Sequence, residues 1–249
     1  MHSETFSEAI GSLIADDLIE DILFQVKSGK EATIFCCSGG IRSPTELVAL
    51  KVYKPQRFRS FRNDSMYRAG RAILDRRAER AAAKQSRFGR EVRSSAWTSR
   101  EFDTLRVLHR AGARVPRPIV HSAGAVAMEW IGDADRPAWQ LKDVDLERDQ
   151  AQSVFDQLIA DIRLWLSCNI VHGDLSAYNL LWDRERLVAI DFPQACDARF
   201  NPNAEWLLSR DVERVCRAFA RWGIDADAGA VANDVWERYM RGQLSGPDH

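Results

Sequence analysis

Residues 172–194 constrain this chain more than any other stretch. They open as His172-Gly173-Asp174-Leu175-Ser176-Ala177-Tyr178-Asn179 and close as Ile190-Asp191-Phe192-Pro193-Gln194, with a hairpin-like pair of apolar runs at 179–182 and 187–190. Transfer of a phosphoryl group from a nucleotide needs one carboxylate to orient the attacking hydroxyl and take its proton. It also needs an amide oxygen and a second carboxylate to hold Mg²⁺ against the phosphates. Asp174 is the candidate base, and Asn179 and Asp191 are the candidate metal ligands. Each piece alone has a plainer reading. Asp, Ser and Asn favour helix caps and turns, and an Asp at a strand end is ordinary in any α/β protein. Their joint presence in this order favours the chemical reading.

A second constraint is the run Val48-Ala49-Leu50-Lys51-Val52-Tyr53-Lys54. Burying a bare ammonium is very unfavourable, so Lys51 must find a partner or a cleft. It is suited to nucleotide phosphates and to pairing with a helix Glu, for which Glu101 is the first candidate and Glu91 the second. The alternative is a solvent-facing Lys on an edge strand. Upstream, residues 26–32 read Val-Lys-Ser-Gly-Lys-Glu-Ala. A turn at Ser28, Gly29, Lys30 and Glu31 that exposes backbone N–H groups can lie over phosphates. It is neither a G-x-G-x-x-G loop nor a Walker sequence, and an ordinary hairpin turn is its plainer reading.

The chain has 249 residues, enough for one large domain or two lobes. Its net charge of −1 gives no bulk attraction to polyanions. Residues 54–93, however, carry thirteen Lys and Arg against four Asp and Glu, a local +9 that leaves −10 for the remainder. Such asymmetry points to an anionic partner, or to a solvated basic helix or flexible loop. The five cysteines are odd in number and lack C-x-x-C spacing, so neither a disulfide framework nor a zinc site is expected. Asp16, Asp17, Glu20 and Asp21 interrupt any leader-like apolar run, and no stretch is long enough to span a bilayer. A reducing cytoplasm without membrane contact is the expected setting.

The periodicity predicts a helix over 4–20, an antiparallel meander at 21–27, 32–37 and 46–54, and a helix at about 95–111. Two more strands are expected at 119–122 and 125–131, then a small polar linker from Gly132 to Pro137. Helices follow at about 147–168, 203–222 and 227–241.

Taken together, these residues resemble the RIO-type atypical protein kinases, most strongly the compact bacterial members. The marks are S-G-K-E-A at 28–32, A-L-K-V-Y-K at 49–54, Trp97 with Glu101, the H-G-D-L-S-x-x-N loop and I-D-F-P-Q at 190–194. Ala177 departs from the pattern, standing where an acidic residue is common. The resemblance implies an α+β, bilobal protein-kinase-like fold, trimmed of the activation loop and peptide-substrate subdomains. Residues 1–131 would form the N-terminal lobe, with an N-terminal helix, the antiparallel sheet, a basic mobile insertion at 55–94 and the Glu-bearing helix. Residues 132–249 would form a mostly helical lobe carrying the catalytic and metal-binding loops. The resemblance also implies that ATP and Mg²⁺ are bound, with Mn²⁺ equally suited to hard oxygen ligands. Lys51, paired with Glu101, would hold the phosphates, backbone groups near Glu129 and Ile131 would bind the adenine edge, and Met128 would wall the back of the pocket; the plainer reading of 126–132 is a core strand. The activity implied is γ-phosphoryl transfer to a protein Ser or Thr, autophosphorylation included, or an ATPase switch in which Asp191 accepts the phosphoryl group. The protein substrate is not implied. Because relatives serve small ribosomal subunit maturation, rRNA or a ribosomal particle is the partner implied for the basic segment 54–93.

Two other readings use the same residues. A small-molecule phosphotransferase of the aminoglycoside or choline kinase type shares the H-G-D…N…I-D arrangement, but S-G-K-E and Pro193-Gln194 disfavour it. A nucleotide-gated RNA- or ribosome-binding protein would use ATP state to control docking.

Overall fold

The computed structural model describes residues 10–54, 87–122, 124–184 and 186–244, and of 87–98 the backbone only. Most of the basic stretch 55–94 lies outside the described residues; its last part, from Arg87, is helical. The described residues fall into two compact units.

The first unit is built on a five-stranded sheet of order β1-β2-β3-β5-β4, formed by β1 (Ile19–Ser28), β2 (Ala32–Gly39), β3 (Leu47–Tyr53), β4 (Pro118–Ser122) and β5 (Ala125–Glu129). All neighbours pair antiparallel. Side chains alternate across a strand, and β3 uses both faces. Val48, Leu50 and Val52 join the apolar cluster of Ile10, Leu13, Ile19, Phe35, Cys37, Ala125 and Ala127. Ala49, Lys51 and Tyr53 take the opposite face.

The helix expected over 4–20 needs correction at its end. Within the described residues the helix covers 10–15, and β1 already begins at Ile19. Asp17 adopts a left-handed φ of 55°. The Asp17 carbonyl accepts the Arg42 N–H at 3.0 Å and the Leu18 carbonyl accepts the Gly40 N–H at 3.2 Å. These carbonyls therefore serve the β2–β3 connection rather than another helical turn. Gly40 permits the approach, because a Cβ there would stand 2.3 Å from the Asp17 carbonyl oxygen.

Helix α1 (Arg87–Arg110) contributes its residues through Asp103 to the first unit and those from Thr104 to the second. The second unit also contains α2 (Arg148–Ser167), α3 (Ala204–Phe219) and α4 (Ala228–Met240). A small sheet of order β6-β8-β9 joins β6 (Trp139–Gln140), β8 (Leu180–Asp183) and β9 (Arg186–Ala189). A two-stranded pair joins β7 (Ile170–Val171) and β10 (Cys196–Asp197).

Helix α2 buries Val154, Phe155, Leu158, Ile162 and Trp165, at the spacing of one helix face. Phe155 meets Phe219 of α3 edge-on at 5.3 Å between ring centroids, and Trp165 meets Phe192 at 5.7 Å. The segment after α1 is tied to this core by charge as well. Arg114 Nε donates to buried Asp161 Oδ2 at 2.8 Å, and Arg114 Nη2 donates to the Gln157 carbonyl at 2.8 Å. The Arg114 carbonyl in turn accepts the Ala189 N–H at 2.9 Å. Among the described residues no helix is long and apolar enough to cross a membrane. All five cysteines are free thiols.

Candidate active site

In the first unit, strand alternation carries Lys51 to the face opposite the apolar cluster. There its Nζ donates to Glu101 Oε1 at 2.8 Å. Both residues are buried, Lys51 at 8% exposure and Glu101 at 1%. The Tyr53 hydroxyl donates to the other carboxylate oxygen, Oε2. The Lys51 ammonium also lies 5.2 Å from the centre of the Tyr53 ring. One carboxylate thus holds two partners from one strand, two residues apart. Sequence reasoning missed Tyr53, although its position two residues beyond Lys51 puts it on the same strand face.

The turn at 29–31 closes with a hydrogen bond from the Gly29 N–H to the Ala32 carbonyl at 2.9 Å. Ser28 Oγ lies 3.2 Å from Thr33 Oγ1 and accepts from Lys54 Nζ at 3.0 Å. Lys30 is exposed, and the Glu31 carbonyl accepts the Lys54 N–H at 2.8 Å. On β5, Met128 is buried opposite Ala49. Glu129 is held to Arg117 by its backbone N–H and by its side chain, at 2.8 and 3.0 Å. Pairing with β3 ends just beyond, at the Trp130 N–H to Leu47 carbonyl bond of 3.3 Å, and buried Ile131 follows it.

In the second unit, the loop after β7 carries Asp174 and Asn179, and Asp191 follows β9. Asn179 Nδ2 donates to the Asp174 carbonyl at 2.9 Å, which turns the amide oxygen away from that bond. The Asn179 carbonyl accepts the Ile190 N–H at 3.0 Å, directly before Asp191. Asp191 is exposed and adopts a left-handed φ of 69°. Strained backbone of this kind collects at functional sites. Both candidate ligands present oxygen, the donor type that Mg²⁺ takes. Among the described residues there is no group of three or more His, Cys, Asp or Glu able to hold a metal. A hard cation shared with nucleotide phosphates fits this site, since such a cation uses only one or two protein ligands.

His172 links the loop to the segment before Asp191. Its Nδ1 accepts the Asp174 N–H at 3.2 Å, so Nε2 carries the proton and faces the Ile190 carbonyl at 3.1 Å. Burial pushes its pKa down, against the pull of that carbonyl and of Asp191 and Asp174. The ring packs 4.5 Å from Phe192 and 6.1 Å from Trp165. His172 thus braces the loop against the segment before Asp191.

Helix α3 grips the same loop. Asp211 is 2% exposed and accepts the Gly173 N–H at 2.7 Å and the Leu175 N–H at 3.1 Å. Burial pushes its carboxyl up to about 7, opposed by those donors and by Arg210 and Arg214. Arg210 Nη2 donates to the Gly173 carbonyl. Arg214 Nη1 donates to Asp174 Oδ1 at 2.8 Å. From the other side, the Lys142 N–H reaches the Ala177 carbonyl at 3.4 Å and Gln140 Nε2 reaches the Tyr178 carbonyl at 2.8 Å. Sequence reasoning missed Asp211, Arg210 and Arg214. The only sequence signal is Asp211, a charged group on an otherwise apolar helix face that half-buried Arg210 and Arg214 flank, and that signal names no partner.

The chain was compared with known proteins. The model of the RIO domain family matches residues 33–231. A RIO-type serine/threonine-protein kinase Rio1 from Haloferax volcanii is 35% identical over 225 residues, which cover 90% of this chain and 71% of the relative. The human serine/threonine-protein kinase RIO3 is 27% identical over 223 residues, covering 85% of this chain and 41% of that protein. Among solved structures, the Rio2 kinase–ADP/Mg²⁺–phosphoaspartate complex from Chaetomium thermophilum superposes with a TM-score of 0.63 at 22% identity, covering 94% of this chain and 74% of that one. The kinase-like fold, with a sheet-rich N-terminal part and a helical C-terminal part, is the shared architecture.

Proposed function

Since this chain belongs to the RIO domain family, we propose that it is a RIO-type serine/threonine protein kinase that moves the γ-phosphoryl group of ATP to a protein hydroxyl. The observation that carries this reading is that Asn179 bonds both the Asp174 carbonyl, through Nδ2, and the Ile190 N–H, through its carbonyl, with Asp191 the next residue after Ile190. Asp174 orients the acceptor hydroxyl and takes its proton. Asn179 and Asp191 hold Mg²⁺, which neutralises phosphate charge when bound. Mn²⁺ suits the same oxygens. Lys51, fixed by Glu101, meets the α and β phosphates, and the turn of Ser28, Gly29, Lys30 and Glu31 covers them. Adenine meets the backbone at Glu129 and Ile131, with Met128 behind it. Positioning and electrostatic stabilisation then supply most of the rate.

A second reading rests on the exposure of Asp191. Its carboxylate oxygen attacks the γ-phosphorus, ADP leaves, and water later hydrolyses the acyl phosphate, which makes a slow ATPase switch. The solved relative is described as a phosphoaspartate complex. The free thiols suit a reducing cytoplasm. The basic segment 54–93 suits rRNA or ribosomal particle phosphates, with salt-dependent affinity; residues 55–86 of it lie outside the described residues.

The test is purified protein with γ-labelled ATP and Mg²⁺, beside an Asp191→Asn control. Label on Ser or Thr of the chain or of an added protein, lost in the control, supports the kinase. Free phosphate with an alkali-labile acyl phosphate supports the switch instead. Turnover only with an added amino-alcohol overturns both in favour of a small-molecule phosphotransferase.

A further inference from the structure

Asp174 is the proposed base, yet its side chain is 48% exposed. An exposed carboxylate samples several rotamers unless something holds it. Helix α3 meets the loop at the Gly173 N–H, the Gly173 carbonyl and the Leu175 N–H through Asp211 and Arg210. Those bonds fix the backbone and leave the Asp174 side chain to be set separately. Arg214 lies one helical turn beyond Asp211, so it leaves α3 on the same face. Its Nη1 stands 2.8 Å from Asp174 Oδ1.

We propose that Arg214 is a positioning residue for phosphoryl transfer: it engages Asp174 Oδ1 and so presents Oδ2 to the acceptor hydroxyl. This rests on the reading of Asp174 as the base. The helix that anchors the loop backbone thereby also aims its carboxylate, and a charge-assisted bond from a planar guanidinium does so with directional preference. Arg217, one turn further on, is paired with Glu213 at 2.6 Å and is 74% exposed, so it serves as a control.

The experiment measures kcat and the KM for ATP of the full chain and of Arg214→Gln, Arg214→Lys and Arg217→Gln, together with Asp174→Ala alone and combined with Arg214→Gln. Thermal melting of each protein is recorded alongside. Misaiming a reacting group lowers rate by about 10- to 100-fold. The expected result is a fall of that size in kcat for Arg214→Gln, an unchanged KM for ATP, partial recovery in Arg214→Lys and no effect in Arg217→Gln. In the Asp174→Ala background, Arg214→Gln should cause no further fall in the residual rate. A further fall there, or a matching loss of thermal stability, would mean a structural role and overturn the inference. Full kcat in Arg214→Gln with an inactive Asp174→Ala would overturn it too, and leave the reading of Asp174 standing. Full kcat in Asp174→Ala would remove that reading, and the inference with it.

Discussion

Asp211 and Gly173, 38 residues apart in the chain, are joined by a 2.7 Å hydrogen bond from the Gly173 N–H to the buried Asp211 carboxylate. With the companion bond from the Leu175 N–H, it makes one side chain of α3 the anchor for both backbone flanks of Asp174. A buried N–H left without its acceptor costs about 1–3 kcal/mol. Asp211→Ala is therefore expected to lower stability by about 2–4 kcal/mol and to lower kcat as the loop loosens. Urea titration and steady-state turnover measure the two effects.

The same carboxylate gives stability a pH dependence. Its pKa rises from 3.8 unfolded to about 7 folded, so between those values the native state binds more protons than the unfolded chain. Stability then falls as pH rises through that window. Asp211→Asn removes this contribution. Relative to that variant, the unmodified protein should lose stability between about pH 4 and about pH 7, with little further change above. Urea titrations of both proteins across that range would measure it, and parallel curves would contradict it.

His172 should act in the opposite direction. Burial lowers its pKa below 6.5, so the unfolded chain takes up the proton first on acidification. Stability then falls as pH drops below about 6.5, and His172→Gln should flatten that part of the profile. Nuclear magnetic resonance of the imidazole should also find Nε2 protonated near neutral pH.

Glu101 neutralises buried Lys51 and accepts from Tyr53. Breaking a buried ion pair by removing one partner costs about 3–5 kcal/mol, so Glu101→Ala should destabilise by about that amount. Lys51→Met with Glu101→Leu removes both charges but also an acceptor of Tyr53, so it should recover only part of that loss while losing ATP turnover. Tyr53→Phe deletes one hydrogen bond to a charged group and should cost about 1.5–3 kcal/mol. Thermal and urea denaturation of the set rank them.

Arg114→Leu would leave Asp161 buried without its guanidinium. Because Arg114 is 30% exposed, water can relieve part of the loss, and the expected cost is about 2 kcal/mol. Asp161→Asn should cost less, since burial already pushes that carboxyl's pKa up. A larger loss in Asp161→Asn than in Arg114→Leu would contradict this ranking.

Much of the sheet was legible because its punctuation is local. Gly29 and Gly39-Gly40 separate three apolar runs, and these became β1, β2 and β3. The end of the first helix was not legible. Asp17 turns left-handed to meet a loop more than twenty residues away, and no periodicity within 4–20 carries that information. Strands of two residues, such as β7 and β10, are too short for any pattern to show. In the loop, Asp174 and Asn179 stand five residues apart and can be read together. Asp211 and Arg214 reach Asp174 and its two neighbours from a helix whose amphipathic pattern only says that one face is buried. Distant anchors of this kind are set by tertiary packing, and a lone Asp on such a face does not announce its acceptor role.

Strand β3 alternates core residues on one face with Lys51 and Tyr53 on the other. Sliding it by one position against β2 and β5 would push the ammonium among Phe35, Cys37 and Ala127 and turn Leu50 outward, since a one-residue slip exchanges the faces of a strand. The lysine thus guards the sheet against mispairing during folding: the arrangement that gives it Glu101 is the one in which its charge does not enter the apolar cluster.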